Sequence, residues 1–481
     1  MKTISVVLSV GLTIALTGCF AKIHPLPAPL DKNNPVFAPL ADQDTLVGLA
    51  VSGGGSRAAT FAASALEALA DIRITQEGKE RSALETVTHM SSVSGGSLAT
   101  AYYAMKKPPK SVPVLGEQGL SPMYRNFFSD FKTAMQMDFE WRAAVRQLLF
   151  FRALNPTKFA YSFSEVWDSN FFEKMTFSQL YAREQSGDSP RIILNGTEYN
   201  SGRRLALTTL ASSEFDYDFI EQLIKELKKS GRPGLVTPEN LAIIESELKK
   251  AKKQFLPLTF DQIGANHQNL QLSLAVATSA SFPPVVGPVT YGVDGKPPYH
   301  HIGDGGLFDN LGTESLTTLF LKKIPQASSR KGLIIVIDAS FPFEASSGEM
   351  SIDEKGFEVF KNDPSRIVGI MEERAKVYQL LLWESLRAEG VILPDPTHLK
   401  FVILKHTDAD WTGYQDLPEA CRNDFDKNKN VTPEEIKQIV SSIPTLFKIK
   451  TACHGALLAK AAQKVVAKQR QHIVDFLQTA P

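Results

Sequence analysis

Apolar and polar positions change rhythm along this chain, and each change predicts an element. The first strong signal is TLVGLAV, starting at Thr45, an apolar strand that stops at Ser52-Gly53-Gly54-Gly55 and gives way to a helix rich in small residues. A second strand, turn and helix follow over residues 85–106, where ETVTHM runs into SSVSGGS and then LATAYYAMKK. Residues 107–188 differ. Aromatic side chains recur there at helical period, which predicts a helical insertion covering the strand ends. Strands return at Pro190–Asn200, in RRLALTTL just after it, in the strand-like PYHHI, and in the buried-type run Gly332–Ser340. A long helix is predicted over Ser365–Arg387, another strand in HLKFVILKH, and helices from Pro433 onward. Strands alternating with helices predict an α/β fold, one sheet covered on both faces.

Composition sharpens this only in places. A chain of 481 residues, 43% of them hydrophobic, can bury a large core in one big domain or in two to three ordinary ones. The 52 basic and 52 acidic residues cancel, so no whole-molecule field gathers nucleic acid. Mixed-sign runs such as EQLIKELKKSG are solvated helix faces. At the N-terminus, Lys2 precedes an apolar run from Ile4 to Leu16 that is too short to span a bilayer and has the plan of a secretory leader. Its end, Leu16-Thr17-Gly18-Cys19, resembles the bacterial lipoprotein cleavage box. That resemblance implies a leader over 1–19, a lipid anchor on Cys19 and, with Phe20 following, an outer-membrane position facing the periplasm. Residues 20–44 are proline-rich and aperiodic and read as a tether. The folded body is expected over 45–400, with a C-terminal strand and helical extension over 401–481 packed on it. Disulfides persist in exported proteins; Cys421 and Cys453 either pair or stay as two buried thiols.

Three glycine-marked stretches sit at strand-to-loop transitions, where open α/β sheets gather their sites. In Ser52-Gly53-Gly54-Gly55-Ser56-Arg57, successive glycines let several backbone N–H groups converge on an anion at a helix start. It lacks the GK[ST] ending of a phosphate loop and the spacing of a dinucleotide fingerprint. In Ser92-Val93-Ser94-Gly95-Gly96, a serine occupies the centre of a nucleophile-elbow frame, with Ser92 where the first glycine usually stands. In Gly303-Asp304-Gly305-Gly306, an aspartate flanked by glycines follows a strand-like run. Each alone also fits an ordinary turn or helix cap.

Taken together, in this order, the three resemble the patatin-like phospholipase family. Secondary matches are ATSASFPPVV (Ala277–Val286), NGTEYNSGR (Asn195–Arg203) and the C-terminal IPTLFKI (Ile443–Ile449), which looks like tails of bacterial members. The resemblance implies a three-layer sandwich with a central, mostly parallel sheet and the helical insertion over the active site. It implies a Ser94–Asp304 dyad, without a histidine base, hydrolysing acyl esters of phospholipid or lysophospholipid through an acyl-enzyme. Gly53, Gly54, Gly55 and Gly95 would form the oxyanion hole. Ser92, Gly96, Arg57, Gly305 and Gly306 would support the elbow and loop, with Arg57 orienting the glycine loop, meeting a head group or simply capping a helix. Neither metal nor organic cofactor is implied, and the membrane partner would be met through the anchor. Nothing in the pattern sets an oligomeric state.

Three other readings remain. A Ser-His-Asp triad would need His406 or His454 after Asp304, since His300 and His301 fall out of chain order and His89 lies in a strand. A lipoprotein scaffold without catalysis would leave both motifs idle. DFDKNKNVTPEE partly matches a calcium loop through Asp424, Asp426, Asn428, Asn430 and Glu435, but Lys429 replaces its turn glycine, and Thr432-Pro433-Glu434-Glu435 is a good helix start. The aromatic insertion is either core, lid or lipid-docking helix.

Overall fold

The computed structural model describes residues 21–340 and 395–478, except 32–33, 77, 150–151, 153–154, 218–220, 222–223, 226–241, 244, 250–255, 284–285, 423–424 and 426–430. Cys19, the leader, the helix expected over Ser365–Arg387 and most of the calcium-like stretch lie outside the described residues. In chain order the elements are β1 (Ile23–Leu26), β2 (Thr45–Val51), α1 (Gly55–Ala70), β3 (Arg73–Gln76), β4 (Lys79–Ser82), β5 (His89–Val93) and α2 (Gly95–Lys106). The insertion supplies α3 (Pro122–Met135), α4 (Phe139–Leu149), α5 (Phe159–Trp167) and α6 (Phe177–Ser186). Then come β6 (Arg191–Glu198), β7 (Arg203–Thr208), α7 (Leu272–Ser279), β8 (Val289–Val293), β9 (Tyr299–Asp304), α8 (Thr313–Lys323), β10 (Lys331–Asp338), β11 (Leu399–Lys405), α9 (Pro433–Ser442) and α10 (Ala452–Gln478).

Side-chain alternation on the strands builds three layers. Along β2, Val47, Leu49 and Val51 face one apolar cluster with α1, α2 and α10, while Leu46 and Ala50 face the other, with α8. β10 splits the same way, Leu333, Ile335 and Ile337 against Ile334 and Val336. A strand apolar on both faces belongs between two helical layers. Gly48 faces α8, where an added Cβ would stand 3.0 Å from both Leu316 Cδ1 and Phe320 Cζ.

The sheet is mixed and mostly parallel. β5, β2, β10 and β11 follow one another in parallel from β6, while β7 and β9 pair with β6 antiparallel and β1 runs parallel to β8. β6 is the junction. β7 takes one of its edges over residues 193–198, so β5 (opposite 191–195) and β9 (opposite 196–198) must share the other. They approach head-on: Val93 at the end of β5 pairs with Asn195, and Asp304 at the end of β9 pairs with Gly196.

One expectation changes. Residues 20–44 are no free tether, because β1 adds a strand beside β8 and Phe37 is buried. Asp42 enters a buried ion cluster, 3.0 Å from Arg191 and 2.8 Å from Lys323. The hairpin β3–β4 was not read from sequence, because its second strand, KERS, has no apolar alternation. Cys421 and Cys453 are joined in a disulfide that ties the chain ahead of α9 to the start of α10. No helix among the described residues is long and apolar enough to cross a membrane.

Glu184 on α6 is buried and accepts the Ile192 N–H at 3.1 Å and the Thr209 hydroxyl. Burial outweighs those bonds and pushes its pKa up to about 8. A carboxyl raised above its unfolded value contributes stability that is full below the unfolded pKa and is lost as pH rises through the folded one. Glu184→Gln should therefore lessen the fall of Tm between neutral and alkaline pH by roughly 2–4 °C relative to wild type. Parallel melting curves against pH check this, and identical slopes would contradict it.

Candidate active site

The end of β5 turns directly into α2, and the turning residue is Ser94. Its φ of 52° lies in the left-handed region that L-residues avoid. Such a conformation costs on the order of 1–3 kcal/mol and persists only where surrounding contacts fix it. Those contacts are visible. The Ser94 N–H donates to Ser279 Oγ at 3.1 Å, and the Ser94 carbonyl accepts the Ser97 N–H at 2.9 Å. A Cβ on Gly95 would overlap the Gly55 carbonyl oxygen, and one on Gly96 would stand 2.5 Å from the Ser52 oxygen. The turn is thus packed against the glycine loop, and both positions need glycine. Ser92 fits: it is fully buried, with its hydroxyl 3.2 Å from Ser97 Oγ.

Asp304 arrives from the other side of the junction. Its N–H donates to the Ser281 carbonyl at 3.0 Å, and the Thr197 hydroxyl donates to its carbonyl at 2.8 Å. Gly305 lies against the Asn195 carbonyl, and a Cβ there would stand 3.2 Å from Val93 Cγ1. The segment after Asp304 thus abuts the residue before Ser94. The Gly306 N–H donates to Oδ1 at 2.7 Å, while Oδ2 is buried with no hydrogen-bond partner among the described residues. Burial pushes the carboxyl up to about 7; the Gly306 N–H and the nearby Ser94 hydroxyl both pull it down. This is a carboxylate whose proton affinity lies near neutrality beside a strained serine, the pairing that proton transfer from a hydroxyl requires.

The glycine loop needs one correction. The Gly53 N–H donates to the Asn310 carbonyl at 2.9 Å, so it is not open to a substrate. The N–H groups of Gly54, Gly55 and Gly95 meet no acceptor among the described residues. Arg57 is neither a surface residue nor open to a head group. It is fully buried, donating from Nε to the Ala339 carbonyl at 2.9 Å and from Nη1 to the Ile443 carbonyl at 2.6 Å. It therefore ties the loop to the chain just after β10 and to the C-terminal segment Ile443–Ile449. That segment reaches the loop again where the Ser56 N–H donates to the Leu446 carbonyl at 2.7 Å.

Ser279 was missed as a site residue, although it lies in the quoted segment ATSASFPPVV. Its hydroxyl holds the Ser94 N–H and donates to the Asn195 carbonyl, while its own carbonyl accepts the Gly305 N–H at 3.3 Å. One residue thereby positions both sides of the pair. The histidines are engaged elsewhere. His406 is buried against Phe61, with Nδ1 3.2 Å from the Asp338 carbonyl, and burial lowers its pKa to about 3. His300 faces Glu198, His301 meets Thr290, and His89 meets Thr88 in β5. His454 is on α10. Among the described residues no cluster of His, Cys, Asp or Glu could hold a metal. Glu435 caps α9 with Thr432.

The Patatin-like phospholipase family matches residues 49–317, more than half of the chain. The chain belongs to the patatin-like phospholipase family. Among solved structures it is similar to human GIVD cytosolic phospholipase A2, at 14% identity and a TM-score of 0.40. That match covers 90% of this chain and 60% of the other. No curated protein matches the chain.

Ser279→Ala should leave the protein folded and lower kcat on an acyl ester on the order of tenfold, with KM little changed, the effect of one lost hydrogen bond to the reacting backbone. Steady-state kinetics separate the two constants; an unchanged kcat would remove Ser279 from the positioning of Ser94.

Proposed function

We propose that this chain hydrolyses acyl esters of phospholipid or lysophospholipid through a Ser94–Asp304 dyad. The observation that carries the proposal is the meeting of β5 and β9 at Asn195 and Gly196, which brings the Ser94 hydroxyl near enough to the buried Asp304 carboxyl to lower its pKa. Ser94 Oγ attacks the acyl carbonyl carbon, and its proton passes to Asp304. The carbonyl oxygen becomes an oxyanion facing the N–H groups of Gly54, Gly55 and Gly95. Each such donor contributes about 2.7–4 kcal/mol to the transition state. Collapse breaks the ester bond, and the leaving alcohol takes the proton from Asp304. Water then attacks the acyl-enzyme, its proton passing through Asp304 back to Ser94, and fatty acid leaves. The step closes on side chains and backbone alone. Cys19, lipidated, would hold the enzyme on the outer membrane facing the periplasm, beside its substrate.

Ser94→Ala and Asp304→Asn should each lower release of fatty acid from mixed phospholipids on the order of a thousandfold or more. Equal release by wild type and Ser94→Ala would end this reading, and loss of turnover in a folded His406→Ala or His454→Ala variant would restore the triad. The raised pKa of Asp304 sets the pH dependence as well. Because the base must be ionised, kcat/KM should fall as pH drops through about 7. A profile flat from pH 5 to 9 on a water-soluble ester would exclude Asp304 as the base.

A further inference from the structure

α4 carries its apolar residues on two opposite faces. Phe139 and Ala143 point inward and are fully buried, with Gln147 beside them. Trp141, Leu148 and Leu149 point outward and are 69%, 65% and 68% exposed. Residues 141, 148 and 149 stand seven and eight positions apart and so share one stripe of the helix, with half-buried Val145 between them. Three large side chains in one stripe cover more than the scattered exposure an ordinary surface shows.

Basic groups surround the stripe. Arg142 is exposed on α4, and Arg146 follows one turn later. The Arg152 N–H donates to the Gln147 carbonyl at 2.9 Å near the end of the same helix, and its guanidinium meets Glu165 of α5 at 2.9 Å. Lys22 joins them from the N-terminal segment: its carbonyl accepts the Tyr161 hydroxyl at 3.3 Å, and its Nζ lies 4.2 Å from the Tyr161 ring centroid. The charges of Arg152, Glu165 and Lys158 reach Lys22, and the Glu165 carboxylate pairs with Arg152 at 2.9 Å and with Arg146 at 3.6 Å. Five cations against the single Glu165 carboxylate they share leave an excess of positive charge beside the apolar stripe, in a chain of zero net charge.

The stripe is also close to the site. The Phe139 N–H, at the start of α4, donates to the Phe447 carbonyl at 2.9 Å, and the neighbouring Leu446 carbonyl holds the Ser56 N–H of the glycine loop. Two consecutive residues therefore span from α4 to the oxyanion loop. Moreover, Lys22 lies three positions after Cys19, so a lipid anchor there would be within about 11 Å of Lys22 along the chain.

We propose that the outward face of α4, with the rim of Lys22, Arg142, Arg146, Arg152 and Lys158, docks on an anionic phospholipid bilayer and delivers the site to its substrate. The proposal rests on the lipid-hydrolase reading above and names the surface that reading leaves open. Apolar side chains insert at the acyl boundary while the basic rim meets acidic head groups, a combination that water-exposed helices bind with. Trp141 suits that boundary, having an apolar ring and a polar N–H.

The test compares the full chain carrying Cys19→Ser, which removes the anchor, with the same chain also carrying Trp141→Glu, Leu148→Glu and Leu149→Glu. Co-sedimentation uses vesicles of phosphatidylcholine with phosphatidylglycerol and, separately, of phosphatidylcholine alone. The parent should partition onto the mixed vesicles, more weakly in high salt, and the triple variant should lose about tenfold or more of that partitioning. Hydrolysis of a short-chain water-soluble ester should stay within about twofold, which shows the variant folded. A milder Trp141→Ala variant, with its melting temperature, serves if the triple variant does not fold, and should lose part of the partitioning. Equal partitioning of parent and variants overturns the proposal, as does a dimer of the parent that the substitutions dissolve without any vesicle binding. Vesicle binding by a parent that cleaves no ester would sustain the docking surface while removing the catalytic reading.

Discussion

The structure depends on a shared strand edge. A β-strand offers two edges for pairing, and β6 gives one to β7 over residues 193–198. β5 and β9 must then divide the other, and because one runs parallel and the other antiparallel to β6, their carboxyl ends converge. The convergence brings residues 94 and 304 together, two hundred and ten positions apart in the chain. Gly196 makes it possible: a Cβ there would stand 2.6 Å from Ile302 Cγ2 and push β9 out of register. A register slip of one residue would turn every side chain of β9 to the opposite face. The site is therefore specified by sheet pairing before any side chain of the pair is considered.

Around that convergence the molecule holds two unfavourable conditions. Ser94 is strained at its backbone, and Asp304 keeps a carboxyl away from water, where burial disfavours its charge. Neither would survive on a loose loop. Both are fixed by the same network, in which Asn195 donates to Ser91 Oγ at 2.8 Å and to the Ser92 carbonyl at 2.9 Å and accepts the Ser315 hydroxyl at 2.6 Å. Ser279 closes it from the helix α7. Buried polar groups that are satisfied in this way rigidify their surroundings. Among the described residues Oδ2 of Asp304 has no hydrogen-bond partner, whereas Asn195, Thr197 and Ser279 beside it are bonded.

Much of this was legible beforehand, and the reason is local. The strands β2, β6 and β10 announce themselves by apolar content, and glycines mark the turns after β2 and β5 and around Asp304, where backbones touch. What sequence could not supply is whatever depends on a distant partner. The engagement of the Gly53 N–H depends on the carbonyl of Asn310, far along the chain. Arg57 looked like a cap or a head-group ligand because its acceptors, Ala339 and Ile443, lie hundreds of positions away. β1, as IHPL, is short and contains a proline, so only its partner β8 makes it a strand. Ser279 sat in plain view within a small-residue segment, yet only three-dimensional contact separates it from the serines near it.

The C-terminal segment Ile443–Ile449 shows how the distant parts act as one. Phe447 packs its ring 5.0 Å from Phe163 and 5.5 Å from Trp167, inside the aromatic insertion, while its N–H donates to Glu140 at 3.0 Å. One residue earlier the same segment holds the glycine loop, and three residues before that it accepts Arg57. A displacement of the insertion is therefore transmitted to the loop through backbone bonds and not through solvent. Tightly packed aromatic contacts of this kind resist gradual deformation. The insertion is thus neither plain core nor a detached cover: its inward face is core, and through this segment it is bonded to the glycine loop.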